Sequence, residues 1–120
     1  MTPFSRYLEA LRRSRNLQQK QLADRLGVNA SYVSSLMTGK KRPPSRQVLL
    51  QIVSKFELSE AEEVEMWRTV ALSELNLRLP TNMCEEEFEF VYELRGRLGT
   101  LSANQLCIMR KTLELGIKQA

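Results

Sequence analysis

The chain has 120 residues, 42% of them hydrophobic, with 18 Lys/Arg against 14 Asp/Glu, a net charge of +4 and no histidine. That length suits one compact domain, or a small domain with an oligomerisation extension, and leaves neither half able to bury a large core alone. No stretch approaches the ~18 consecutive apolar residues that span a bilayer, and the arginines of the opening "MTPFSRYLEALRRSR" break the apolar centre of a signal peptide, so a cytoplasmic protein without membrane attachment is expected. Prolines fall only at 3, 43, 44 and 80, and no stretch alternates apolar and polar residues long enough to specify a strand, which predicts an all-α fold. A first helix runs from about Pro3 to Arg13, with Phe4, Tyr7, Leu8 and Leu11 on one face, Thr2 as cap and proline in the tolerated first position.

A second helix follows, with Leu17 and Leu22 at hydrophobic-staple spacing around a weak cap, Gln18, and it ends at Gly27, where a positive φ costs no Cβ clash. The chain restarts at once with Asn29 as cap and a second staple between Val28 and Val33. Two short helices joined this tightly predict a helix-turn-helix over residues 18–38. At about 100° per residue, Val33, Leu36 and Met37 of the third helix point one way and Ser31, Ser34, Ser35 and Thr38 the other, flanked by Ala30 and Tyr32. An ordinary solvated face favours long charged side chains, which are better helix formers than serine. Small hydroxyls suit a helix that must approach another surface closely, as in a DNA major groove, where each can bond a base edge. Lys40, Lys41, Arg42 and Arg46 follow directly and are candidates for gripping phosphates beside that groove.

Ser45 caps a fourth helix with Val48, Leu49, Ile52, Val53 and Phe56 as its apolar stripe. A fifth starts at a Ser59/Glu62 capping box and is read as continuing to about Leu77 through Val64, Trp67, Val70, Ala71 and Leu75. The charge changes sign here. Residues 1 to 56 carry eleven Lys/Arg against Glu9 and Asp24, a balance of +9, whereas residues 57 to 120 carry seven against twelve, a balance of −5. A polyanion-binding module followed by a segment that stays off the polyanion fits this division.

After a linker, "RLPTNM", a sixth helix over 85 to 98 opens with glutamates, and a seventh over 102 to 118 opens with a Ser102/Gln105 capping box and a Leu101/Leu106 staple. Phe88, Val91, Leu106, Met109 and Leu113 on these helices are the candidate dimerisation surface; the alternative is that they only complete the monomer's core. Cys84 and Cys107 lie far apart with no histidine to join them, which excludes most zinc and Cys/His schemes, so neither metal nor cofactor is expected. Both thiols are read as buried or idle, with redox sensing as a minor alternative. No acid/base pair, nucleophile or phosphate-cradling glycine loop stands out, and an enzyme is not expected.

Residues 4 to 57, and above all "LRRSRNLQQKQLADRLGVNASYVSSLMTGKKRPPS", resemble the Xre or lambdoid-repressor type of bacterial and phage helix-turn-helix regulators. The resemblance implies a five-helix DNA-binding domain over 1–77 and leaves 84–120 as a helical hairpin for dimerisation. It implies that Ala23 is the small residue at the helix crossing, that Gln19 holds a phosphate, and that Ala30, Ser31 and Ser35 read bases. Tyr32, Ser34, Thr38 and Lys40 would lie near the backbone or flank the readers. The implied partners are a double-stranded DNA operator and a second copy of the chain, with an antitoxin or adaptor that binds another protein through its C-terminal half as the alternative. In two places the chain departs from the pattern. Gln18 replaces the usual Thr or Ser cap, and Met37 replaces a glutamate that commonly pairs with an arginine like Arg12, leaving Arg12 to face solvent or phosphate.

Overall fold

The computed structural model describes residues 1–116 and contains seven helices and no strand among them: α1 Pro3–Ser14, α2 Gln19–Leu26, α3 Ala30–Thr38, α4 Arg46–Lys55, α5 Glu60–Ser73, α6 Glu85–Arg97 and α7 Ala103–Leu113. The helices divide between two units, Met1–Leu77 and the chain from Arg78 onward. In the first unit α1 packs on α5 and α3, and α2 packs on α3 and α4.

Capping decides where these helices begin. The Ser5 N–H donates to Thr2 Oγ1 at 3.1 Å while the Thr2 N–H donates to Ser5 Oγ at 2.8 Å, closing a reciprocal box ahead of Pro3. Asn29 Oδ1 accepts the Ser31 N–H at 2.8 Å, and Ser59 with Glu62 form the box that opens α5. Gln18, the weak cap, is helped by Gln21, whose Oε1 accepts the Gln18 N–H at 2.8 Å. Each such bond satisfies one of the N–H groups that a helix start leaves without a partner, and is worth about 1 kcal/mol.

Among the described residues, all thirteen buried hydrophobic side chains lie between Phe4 and Met66, so the core belongs to the first unit. Leu22 and Ala23 of α2 and Val33, Leu36 and Met37 of α3 meet there with Phe4 and Leu8 of α1 and Ile52 of α4. Ala23 is 1% exposed. Extra methylenes at such a site force neighbours off their rotamers, so the small residue is a packing requirement.

Helix α5 differs from its sequence reading in phase and in length. Val64 and Leu75, expected on the apolar stripe, are 66% and 80% exposed, and Ala71 is exposed too. The inner line is instead Met66 and Thr69, with Trp67 and Val70 half-buried beside them. Thr69 tolerates burial because its hydroxyl donates to the Met66 carbonyl at 2.7 Å. The helix stops at Ser73 rather than near Leu77. Ser73 Oγ donates to the Thr69 carbonyl at 2.7 Å and accepts the Phe4 N–H at 2.9 Å, so the end of α5 serves as an extra cap for α1. Beyond it the leucines at 75, 77 and 79 recur every second residue, a spacing that a helix would scatter around its axis.

Gly39 closes α3 with φ +81°, and a Cβ there would lie 3.1 Å from both Met1 Cα and Thr2 N. Backbone strain and a backbone clash thus coincide, and Gly39→Ala is expected to lower stability by about 1–3 kcal/mol, measured by thermal or denaturant unfolding. Gly27 ends α2 with φ +68° but has open space beside it, so Gly27→Ala should suffer only the backbone strain.

The second unit has no core of this kind, since no side chain of α6 or α7 is fully buried. Phe90, Leu94, Leu101 and Met109 line a groove shared by the two helices. Ser102 and Gln105 form the expected capping box. Helix α7 ends at Leu113, short of the residue 118 read from the sequence, with Gly116 at φ +85°; residues 117 and 118 lie outside the described residues. Cys84 and Cys107 are both exposed, which removes the buried half of their reading as buried or idle thiols. Cys84 occupies the cap position of α6, where the backbone is still extended.

Candidate nucleic-acid interface

The αL glycine at 27 and the cap at Asn29 set α3 directly after α2, and burial of Val33, Leu36 and Met37 fixes how α3 is rotated. With that rotation Ala30, Ser31, Ser34 and Thr38 are exposed, and Ser35 and Tyr32 are half-buried. Burial pushes the Tyr32 phenol up, so it remains a neutral hydrogen-bonding group at ordinary pH. Two of the hydroxyls have internal partners. Ser31 donates to Asn29 Oδ1 at 2.7 Å and Thr38 to the Ser35 carbonyl at 3.2 Å. Each keeps oxygen lone pairs for an outside donor.

The basic loop after α3 is folded back on the helix end. The Ser35 carbonyl accepts the Lys40 N–H at 3.0 Å and the Lys41 N–H at 3.4 Å, while Pro44 is buried and anchors the far side of the loop. The side chains of Lys40, Lys41 and Arg42 are exposed, and none has a carboxylate partner among the described residues. Arg46, in the first turn of α4, places its guanidinium 5.2 Å from the centre of the Trp67 ring. That stacking steadies the group while leaving its edge N–H donors available.

Gln19 is half-buried in the first turn of α2. Next to it Lys20 is exposed and free of any acidic partner among the described residues, and sequence reasoning did not single it out. A lysine at the positive end of a helix is locally unfavourable, and that mismatch was the available signal.

Arg12 is not at the surface. Its guanidinium is ion-paired with Glu9, and Nη1 donates to the Leu17 carbonyl at 2.6 Å. The side chain is 19% exposed, and Nε is buried without a partner. Methionine at position 37 offers no charge, and the carboxylate that pairs with Arg12 is that of Glu9, one turn back on α1. The Leu17 carbonyl lies just ahead of α2, so Arg12 braces the turn that aims that helix. Arg15 adds a second brace, its Nη2 donating to the Phe56 carbonyl at 2.9 Å.

Hydrogen bonding from Arg12 holds the Glu9 carboxyl below its ordinary value. A group whose pKa is depressed by folding contributes stability above its unfolded pKa, and that contribution is lost as pH falls through the folded value. Glu9→Gln is therefore expected to lower stability at neutral pH and to flatten the loss of stability below about pH 4.5, read from unfolding curves at several pH values.

Residues 3–66 match the family model described as a helix-turn-helix domain, a span that covers α1 to α4 and the first half of α5. No curated protein and no solved structure matches the chain. With just over half of its length matched, including α2, α3 and the exposed hydroxyl face, the chain belongs to the helix-turn-helix domain family, in its Xre and lambdoid-repressor type, and carries that family's DNA-binding domain.

Proposed function

We propose that this protein is a sequence-specific transcriptional regulator, a cytoplasmic homodimer that represses a phage, prophage or mobile-element operon by binding an inverted-repeat operator. The observation that carries the reading is α3 itself, with one face locked in the core by Val33, Leu36 and Met37 and the other presenting small hydroxyls beside three cations that have no carboxylate partner among the described residues. A helix with such short side chains sits deep in a groove about 12 Å wide. Ala30, Ser31 and Ser35 face base edges and thymine methyls, with Ser34, Thr38 and Tyr32 at the margin. Gln19 and Lys20 meet a phosphate at the start of α2, where helix N–H groups favour an anion. Lys40, Lys41, Arg42 and Arg46 grip the backbone on the other side. Small readers make single bonds rather than bidentate ones, so DNA shape supplies part of the specificity.

The domain over 1–77 reads the operator and the segment over 84–120 joins two copies. Phe88, Leu106 and Leu113 are 46%, 44% and 71% exposed and Val91 and Met109 half-buried, so α6 and α7 both carry apolar side chains that a partner could cover.

Salt dependence tests the phosphate contacts. Affinity is expected to fall with a slope of about −0.9 in log K per log salt for each neutralised phosphate. Lys40→Ala and Arg42→Ala should each reduce that slope by about one while leaving the preferred sequence unchanged. Fluorescence anisotropy at several salt concentrations measures it, and an unchanged slope in both variants removes these residues from the interface. Loss of DNA binding altogether, with a foreign protein bound through 84–120, would favour the antitoxin or adaptor reading.

A further inference from the structure

Asn29 Oδ1 accepts two hydrogen bonds from Ser31, one from its N–H at 2.8 Å and one from its hydroxyl at 2.7 Å. The first bond caps α3 and identifies the amide atom, since only the oxygen of an asparagine side chain accepts from a backbone N–H. The second bond then has one possible sense. A carboxamide oxygen has no proton to give, so the Ser31 hydroxyl is the donor and its single hydrogen is spent inside the protein. Turning that hydrogen outward would leave two acceptor oxygens 2.7 Å apart with nothing between them, which is repulsive. Ser31 is nonetheless exposed, and what it offers to the outside is the lone pairs of Oγ.

We infer that Ser31 is a specificity-determining residue that accepts a hydrogen bond from an exocyclic amino group, adenine N6 or cytosine N4, and rejects guanine and thymine at that place on the contacted strand. Asn29 acts through Ser31 and is a positioning residue that sets the sense of the bond. The inference rests on the DNA-reading role proposed above and names what one of its residues reads. Serine ordinarily suits any base, because a free hydroxyl both donates and accepts. Ser34 and Ser35 keep that freedom, since neither hydroxyl has a hydrogen-bond partner among the described residues. A hydroxyl held as an acceptor does not. In the major groove guanine shows only the acceptors N7 and O6, and thymine shows the acceptor O4 and a methyl group, so Ser31 finds no donor on either. Adenine and cytosine each present an amino group there. Because every base pair holds one amino-bearing base, the selection takes the form of a strand preference, with A or C favoured over G or T on the strand that Ser31 faces.

The probe is a pool of DNA duplexes with a randomised centre, selected in parallel with the native full chain, with Ser31→Ala and with Asn29→Gly. Alanine is a better helix former than serine and glycine is a tolerated cap, so both variants keep α3, and melting curves verify it. The native chain should favour A or C over G or T by about fivefold at one position of each half-site, and Ser31→Ala should lose that preference while keeping the others. Asn29→Gly should lose it too, because the released hydroxyl donates as well as accepts. Base analogues then separate the two sources of the amino group. In the selected duplex the base at that position is replaced by its analogue lacking only the amino group, purine for adenine or a pyrimidinone for cytosine. The replacement should weaken binding of the native chain about fivefold and leave binding of Ser31→Ala unchanged. A preference for G or T that depends on Ser31, a selection unchanged by Ser31→Ala, or an A or C preference that survives Asn29→Gly overturns the inference and leaves DNA reading standing. A pool from which the native chain enriches no sequence overturns both.

Discussion

Ser31→Glu is expected to lower operator affinity by at least about a hundredfold, some 2.7 kcal/mol, without lowering the melting temperature. Ser31 is exposed in the first turn of α3, where a carboxylate is favourable to the helix because it opposes the positive end of the dipole. The same carboxylate carried into a groove between two phosphate strands meets repulsion and has no counterion to release. Stability and binding therefore move in different directions, which separates a reading surface from a merely structural one. Ser35→Glu should abolish binding as well, with a modest loss of stability because that position is half-buried. Melting curves and binding isotherms on the same preparations make the comparison. Wild-type affinity in both variants would show that the hydroxyl face does not read DNA.

Deleting residues 81–120 is expected to leave a folded monomer that binds a half-site, with affinity for the full operator lower by about 10²–10⁴. The truncated chain retains every buried hydrophobic residue among those described, as well as the Ser73 contact that caps α1, so its core stays intact. What it loses is the effective concentration that linking two reading heads provides. Light scattering and titration on half-site and full-site duplexes measure both effects. A truncation that still dimerises and binds normally would assign α6 and α7 to another partner.

Helix starts were legible because capping is local: Thr2, Asn29, Ser45, Ser59 and Ser102 each cap the helix that follows, and all are visible as side chains a few positions ahead of an apolar run. The rotation of α3 was legible for the same reason, since Val33, Leu36 and Met37 leave a single apolar side. Helix α5 was not. Its inner side runs through buried Thr69 to half-buried Ser73, polar residues whose hydroxyls bond backbone groups, one of them 69 residues away. The inward turn of Arg12 was hidden too, because Glu9 and Arg12 three residues apart read as an ordinary surface pair, and only the fold brings the Leu17 carbonyl to the same guanidinium. Local chemistry set the elements, and tertiary neighbours set which of their groups stay free.

A nuclease footprint over the protein's own upstream region tests most directly whether α3 reads an operator as one half of a dimer. The expected result is protection of an inverted repeat, with half-sites centred about 10–10.5 base pairs apart or a multiple of that, by the native chain and not by Ser31→Glu. No protected repeat, or equal protection by both proteins, would contradict the assignment of the hydroxyl face as the DNA-reading surface.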